Sequence, residues 1–138
     1  MDKKKYKNWD IAFGYAEDIV SGKLIANKYR ILACQRFLDD VKSKKYDFDP
    51  KDAEFVIRII ENTFCHMQGE DKNGKPLRGT PFLLMPFHKF IIYNLLGFKI
   101  KGTEIRRFHE CLIFIPRKNV KTSFSGALAY GIGILNRL

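Results

Sequence analysis

The stretch Cys111-Leu-Ile-Phe-Ile-Pro-Arg-Lys-Asn-Val-Lys-Thr-Ser-Phe-Ser-Gly-Ala-Leu-Ala-Tyr-Gly-Ile-Gly-Ile-Leu135 decides the fold. Its first five residues, Cys111 to Ile115, are all apolar. Such a run is short enough for a strand, and its two apolar faces suit an inner strand of a parallel sheet. A basic turn follows, and then Phe124 to Leu138 reads as a helix with Ala127, Leu128, Gly131, Ile134 and Leu135 along it. Gly126, Gly131 and Gly133 weaken that helix but permit close packing. The expectation is a strand over 111–115, a loop over 116–122 and a helix over 123–137. Strand, tight basic loop, Lys-Thr and helix are the layout of a phosphate-binding P-loop.

The chemistry accounts for each part. Backbone N–H groups at a helix start point at phosphate, and the helix dipole favours negative charge there. A lysine at position 121 reaches terminal phosphates, and a hydroxyl at Thr122 can ligate Mg²⁺. The P-loop signature places glycine six residues and one residue before the lysine. Here those positions hold Ile115 and Val120. On pattern alone, the bland alternative of a basic turn before an ordinary helix stays open.

Upstream the chain reads as helical. Trp9, Ala12, Phe13, Ala16, Ile19 and Val20 recur at helical spacing, closed by Ser21-Gly22. A second helix is expected from about Leu24 to Lys44. The stretch Tyr46-Asp-Phe-Asp-Pro50 breaks the pattern, with Asp49 suited to an N-cap and Pro50 to a first turn. A third helix carries Ala53, Val56, Ile57, Ile60 and Phe64 on one stripe. Residues 67–80, with Gly69, Gly74, Pro76 and Gly79, form an exposed loop. A fourth helix runs from Pro86 to Leu96 and stops at Gly97.

Composition narrows the class. The 138 residues are 46% hydrophobic and 29% charged, which fits a globular chain and not a disordered one. The net charge is +10, which favours a polyanionic partner such as nucleic acid or nucleotide phosphate. Residues 101–138 hold seven positive and two negative groups, half of the excess. The opening MDKKKYK reads as a solvated terminus, with a DNA-binding arm as the alternative. Cys34, Cys65 and Cys111 are odd in number and widely spaced, so each is expected as a small buried hydrophobe in a reduced, intracellular protein. Cys65-His66 has no second ligand pair at finger spacing, which disfavours a zinc site. The most apolar run, Phe124 to Leu135, covers 12 residues, whereas a membrane span needs about 20.

The stretch IFIPRKNVKTSFSGALAYGIGIL resembles the ATP-binding segment of tailed-bacteriophage terminase large subunits, the motors that package viral DNA. In that family the loop commonly reads Arg-Lys-Asn-Gly-Lys-Ser/Thr without the first glycine, so Ile115 conforms and Val120 departs. Three further segments look like the family in the same order: YAEDIVSGKLIANKYRILACQRFLDD (15–40), PFLLMPFHKFIIYNLLGFK (81–99) and GTEIRRFHECLIFIPRKN (102–119). The resemblance runs from about Tyr15 to the end.

What the resemblance implies is specific. Lys121 is the phosphate-binding lysine, and Thr122 ligates Mg²⁺ together with ATP. Arg117, Lys118, Asn119, Val120 and Ser123 complete the phosphate loop. Arg117 matches an arginine that helps stabilise charge during hydrolysis, a role suited to a forked guanidinium; its alternative is a solvated loop charge. Met85-Pro86-Phe87-His88 matches the family's Pro-Trp-Gln segment, which reads adenine. Phe87 can stack on a base or belong to the core. His88 lacks the paired amide donor and acceptor of glutamine.

The resulting fold expectation is a mainly α region over residues 8–97, followed by the first strand–P-loop–helix of an α/β P-loop NTPase. Residues 1–100 form the N-terminal helical region, and 101–138 begin an incomplete ATPase core. The chain is expected to be the N-terminal piece of a terminase large subunit, inactive alone, without the second acidic strand or the nuclease. The implied cofactors are ATP and Mg²⁺. The implied partners are double-stranded phage DNA, the portal protein, the terminase small subunit and the remainder of the large subunit, in the host cytoplasm and away from membranes. The alternative is a small basic DNA-binding or motor-docking helical protein without enzymatic activity.

Overall fold

Helical spacing over residues 8–20 becomes helix α1 (Lys7–Val20), which buries Trp9, Ala12, Ala16 and Ile19 on one stripe. A computed structural model describes residues 6–116 and 120–137. The basic start at residues 1–5 lies outside the described residues. Helix α2 (Lys28–Lys42) begins later than the expected Leu24, because Asn27 caps it by accepting the Arg30 N–H at 2.9 Å. That leaves Ile25 98% exposed before the helix. Helix α3 (Lys51–Thr63) starts where Asp49 Oδ1 accepts the Lys51 N–H at 3.0 Å. It buries Ala53, Val56, Ile57 and Ile60. Helix α4 (Pro86–Leu96) opens on Pro86 and ends at Gly97, as the sequence predicts. Helix α5 (Lys121–Leu135) buries Phe124, Ala127, Leu128 and Gly131.

Two short strands were not expected. β1 (Tyr46–Phe48) pairs antiparallel with β2 (Phe98–Ile100) in the register Tyr46–Ile100, Asp47–Lys99 and Phe48–Phe98. Gly97 stands at their base for lack of room. A Cβ there would come within 2.6 Å of the Tyr93 carbonyl oxygen and 2.8 Å of the Phe48 ring. After β2 the chain turns at Gly102 and returns, with the Arg107 N–H donating to the Phe98 carbonyl at 2.9 Å. The Arg107 guanidinium pairs with Asp40 and sits 4.0 Å from the Tyr46 ring centroid.

One core joins these elements. The Trp9 ring touches Phe13, Phe37, Phe48 and Tyr93 at centroid distances of 5.1, 5.7, 4.4 and 5.3 Å. Burial of these large rings contributes apolar stabilisation, to which the tilted and edge-on ring contacts add. At Gly131 a Cβ would lie 2.8 Å from Val56 Cγ1, so α5 and α3 approach closely. A buried polar cluster ties α1, α3 and α4 together. Glu54, 4% exposed, accepts from the Asn8 and Trp9 N–H groups at 3.1 and 3.2 Å and from the Tyr93 hydroxyl at 2.5 Å. The carboxylate thereby caps α1 from a neighbouring helix. Lys89 Nζ reaches Glu61 Oε1 at 3.1 Å and Asn8 Oδ1 at 2.6 Å.

The molecule is mainly helical, with a single two-stranded sheet among the described residues. The strand expected over Cys111–Ile115 is absent, because no described segment pairs with it. β1 and β2 pair with each other, and Arg106 bridges to Lys99. Residues 111–116 are irregular, with Leu112 and Phe114 90% and 94% exposed while Ile113 and Ile115 turn half-inward. The alternation of a strand persists without its hydrogen-bond ladder. The expectation of three buried cysteines holds only for Cys34. Cys65 and Cys111 are exposed, because they sit in segments that leave the core rather than on a packed helix. No helix among the described residues is long and apolar enough to cross a membrane.

Candidate functional site

The start of α5 holds Val120, Lys121, Thr122 and Ser123, the described part of the expected phosphate loop. Val120 precedes it with φ 55° and ψ 20°, the left-handed region, and is the one described residue other than glycine with a positive φ. A β-branched side chain there stores on the order of 1–3 kcal/mol of backbone strain. The strain persists because the Val120 carbonyl accepts the Phe124 N–H at 2.9 Å and Phe124 is fully buried. The core therefore fixes the first turn of the helix from below.

Val120, Lys121, Thr122 and Ser123 stand together at this helix start, all exposed. No acidic residue occupies the first turn of α5, and no side chain caps it. The free N–H groups, the positive dipole end and the Lys121 ammonium thus face solvent together, an arrangement that attracts anions. Arg117, Lys118 and Asn119 lie outside the described residues. The chemistry of this donor set fits phosphate oxygens. For Mg²⁺ it offers the Thr122 and Ser123 hydroxyls. No group of three or more His, Cys, Asp or Glu stands together among the described residues, so a cation here would depend on phosphate oxygens for most of its ligands.

His88 and Phe87 connect α4 to this helix start. His88 is 2% exposed, and its ring lies 4.4 Å from that of Phe124 at 28°, and 3.9 Å from that of Phe87. Its Nδ1 accepts the Met85 N–H at 3.2 Å, which closes the first turn of α4. Its Nε2 is buried with no hydrogen-bond partner among the described residues. Burial lowers the His88 pKa to about 4, so the ring is neutral near pH 7. This histidine is packed as core, between α4 and the start of α5.

Phe87 is half-buried and opens onto a cavity of about 340 Å³ lined by Tyr15, Arg30, Phe87, Ile115 and Pro116. The cavity wall at Ile115-Pro116 leads directly into residues 117–119 and then Val120. Four residue steps separate Pro116 from Val120, a span of at most about 14 Å. A second cavity, of about 540 Å³, lies between Phe64, Cys65, Met67 and Phe82 and the α5 residues Thr122 and Ser123. Tyr15 and Arg30 escaped the sequence reading. Tyr15 lies outside the α1 stripe read from spacing and Arg30 is one of many surface cations, and only the packing of α1 with α2 brings them to Phe87. Compared with known proteins, the chain matches no family model, no curated protein and no solved structure.

Proposed function

We propose that the chain is the N-terminal part of a tailed-phage terminase large subunit, carrying the phosphate-binding loop of an ATP-driven DNA-packaging motor. One observation supports this most directly. Val120 adopts the left-handed conformation at the position where the resembling loops carry glycine, immediately before Lys121-Thr122 at the start of a 15-residue helix. A basic turn before an ordinary helix has no need of that backbone conformation.

On this reading the N–H groups of the first α5 turn and the Lys121 ammonium hold the β- and γ-phosphates. Thr122 Oγ1 would be the side-chain ligand offered to Mg²⁺, which would neutralise phosphate charge. Arg117, by its resemblance, adds a guanidinium to the same phosphates. Hydrolysis also needs a carboxylate on the metal and a group that orients water. The first α5 turn supplies neither, so these residues bind nucleotide without turning it over. The net charge of +10 suits the DNA that such a motor handles.

Calorimetric titration with Mg-ATP tests the reading. Lys121→Ala is expected to weaken binding by tenfold or more, as loss of one charged phosphate contact should. Val120→Gly is expected to strengthen it, because the side-chain methyls no longer crowd the approach of the phosphates to the backbone. Unchanged affinity in Lys121→Ala would sink the proposal. Duplex DNA binding that falls steeply with salt and ignores nucleotide, with no nucleotide binding at all, would instead support the basic DNA-binding alternative.

A further inference from the structure

Cations gather at the end of the two-stranded sheet where β1 begins and β2 ends. Residues 42–47 and 99–104 hold five lysines and two carboxylates. Glu104 is taken by Lys99, with Nζ 2.6 Å from Oε2, and Asp47 accepts the Gly102 N–H at 2.8 Å. Lys42, Lys44, Lys45 and Lys101 remain. All four are exposed, and none forms an ion pair among the described residues. The sheet register sets Tyr46 opposite Ile100, which places Lys45 opposite Lys101 one step further out. Like charges directly opposite across a strand pair destabilise it. Lys42 complements the C-terminal end of α2, whose dipole favours a cation. The backbone beneath the others is fixed. The Lys45 N–H donates to Ser43 Oγ at 3.1 Å, and the Thr103 N–H closes the turn around Lys101 on the Ile100 carbonyl at 2.9 Å, with Gly102 at φ 73°.

A partner with closely spaced negative charge cancels this repulsion, and duplex DNA carries about one charge per 1.7 Å of its axis. The aromatic rings beside the patch, Tyr46 and Phe108, are half-buried, and the Arg107 guanidinium lies 4.0 and 4.6 Å from their centroids. These rings are already engaged, so the bases of a single strand gain little stacking here, whereas the phosphates of a duplex need only the ammonium groups. We propose that Lys42, Lys44, Lys45 and Lys101 form the surface that seats the phosphate backbone of duplex DNA. This surface is separate from the start of α5. Arg106, which bridges to Lys99, donates from Nη2 to Asn136 Oδ1 at 3.0 Å, just past the C-terminal end of α5. Lys121 stands at the other end of that 15-residue helix, about 20 Å away. The inference takes duplex DNA as partner from the reading above and does not depend on a phosphate grip at Lys121.

Fluorescence anisotropy of a short labelled duplex, titrated with the full chain over a range of salt concentrations, tests the surface. The unaltered protein is compared with the triple variant Lys44→Gln, Lys45→Gln, Lys101→Gln. A control, Lys72→Gln, Lys75→Gln, Arg78→Gln, removes the same charge from exposed positions between residues 67 and 80. Circular dichroism checks that each folds. Each phosphate contact adds about 0.9 to the slope of log affinity against log salt, so the first variant is expected to lose about two to three from that slope and to bind at least about tenfold more weakly. The control is expected to lose less than about one. Mg-ATP binding is expected to be the same in the first variant as in the unaltered protein. An unchanged slope in the first variant, or equal losses in both variants, overturns the surface. Single-stranded DNA held as tightly as duplex overturns the duplex as its occupant, and so does binding to phosphatidylglycerol vesicles without binding to duplex. Absence of duplex binding in the unaltered protein overturns this inference and leaves the phosphate grip to stand or fall on its own titration.

Discussion

Val120 and His88 show how much a single residue can be asked to bear. The valine's departure from glycine is visible in the sequence, and its strain follows from the loop the resemblance implies. The histidine's fate is not visible there, because its burial depends on Phe124, 36 positions later, landing on its ring. That burial has a pH consequence. The folded pKa near 4 lies below the ordinary 6.5, so the unfolded chain takes up the proton first as pH falls. The stability this neutral ring protects is complete above about pH 6.5 and is lost progressively down to about pH 4. The loss is on the order of 3 kcal/mol at most. Urea unfolding midpoints measured from pH 7 to pH 4.5 are expected to fall, and His88→Phe is expected to flatten that slope. A slope unaffected by the substitution would show that the ring titrates freely in the folded state.

Among the elements, the helices with a clean apolar stripe were legible and the strands were not. The boundaries of α1, α3 and α4 follow from spacing, Pro86 and Gly97. β1 and β2 have three residues each, too few for alternation to stand out, and their pairing spans about fifty positions. The Cys111–Ile115 run had a strand's composition, but composition cannot supply a neighbouring strand. In α5 the glycines divide by environment, which sequence alone does not show. Gly131→Ala forces a Cβ to within 2.8 Å of Val56 and is expected to destabilise by roughly 1–3 kcal/mol. Gly126→Ala meets nothing within 4 Å and is expected to stabilise by about 0.5–1 kcal/mol. Thermal melts of the two variants should move in opposite directions. Parallel shifts would mean that α5 does not pack on α3 through Gly131.

Taken as a whole, the molecule is a helical core with one extended segment laid over it. The candidate site was half legible for the same reason. Lys121 and Thr122 are contiguous in the chain, whereas Tyr15, Arg30 and Phe87 meet only when three helices assemble. Arg107, clamped between Asp40 and the Tyr46 ring, anchors the chain just before that segment, and the buried face of α5 anchors it just after. Between these anchors Phe114 presents 94% of its surface outside any helix or strand. Chymotrypsin should therefore make its first cut after Phe114. The two pieces should still elute together on gel filtration under native conditions, since Phe124, Ala127 and Leu128 stay embedded beside α3 whether or not the peptide bond survives. A severed chain of this kind would behave as a two-piece protein, its last helix retained by contact alone.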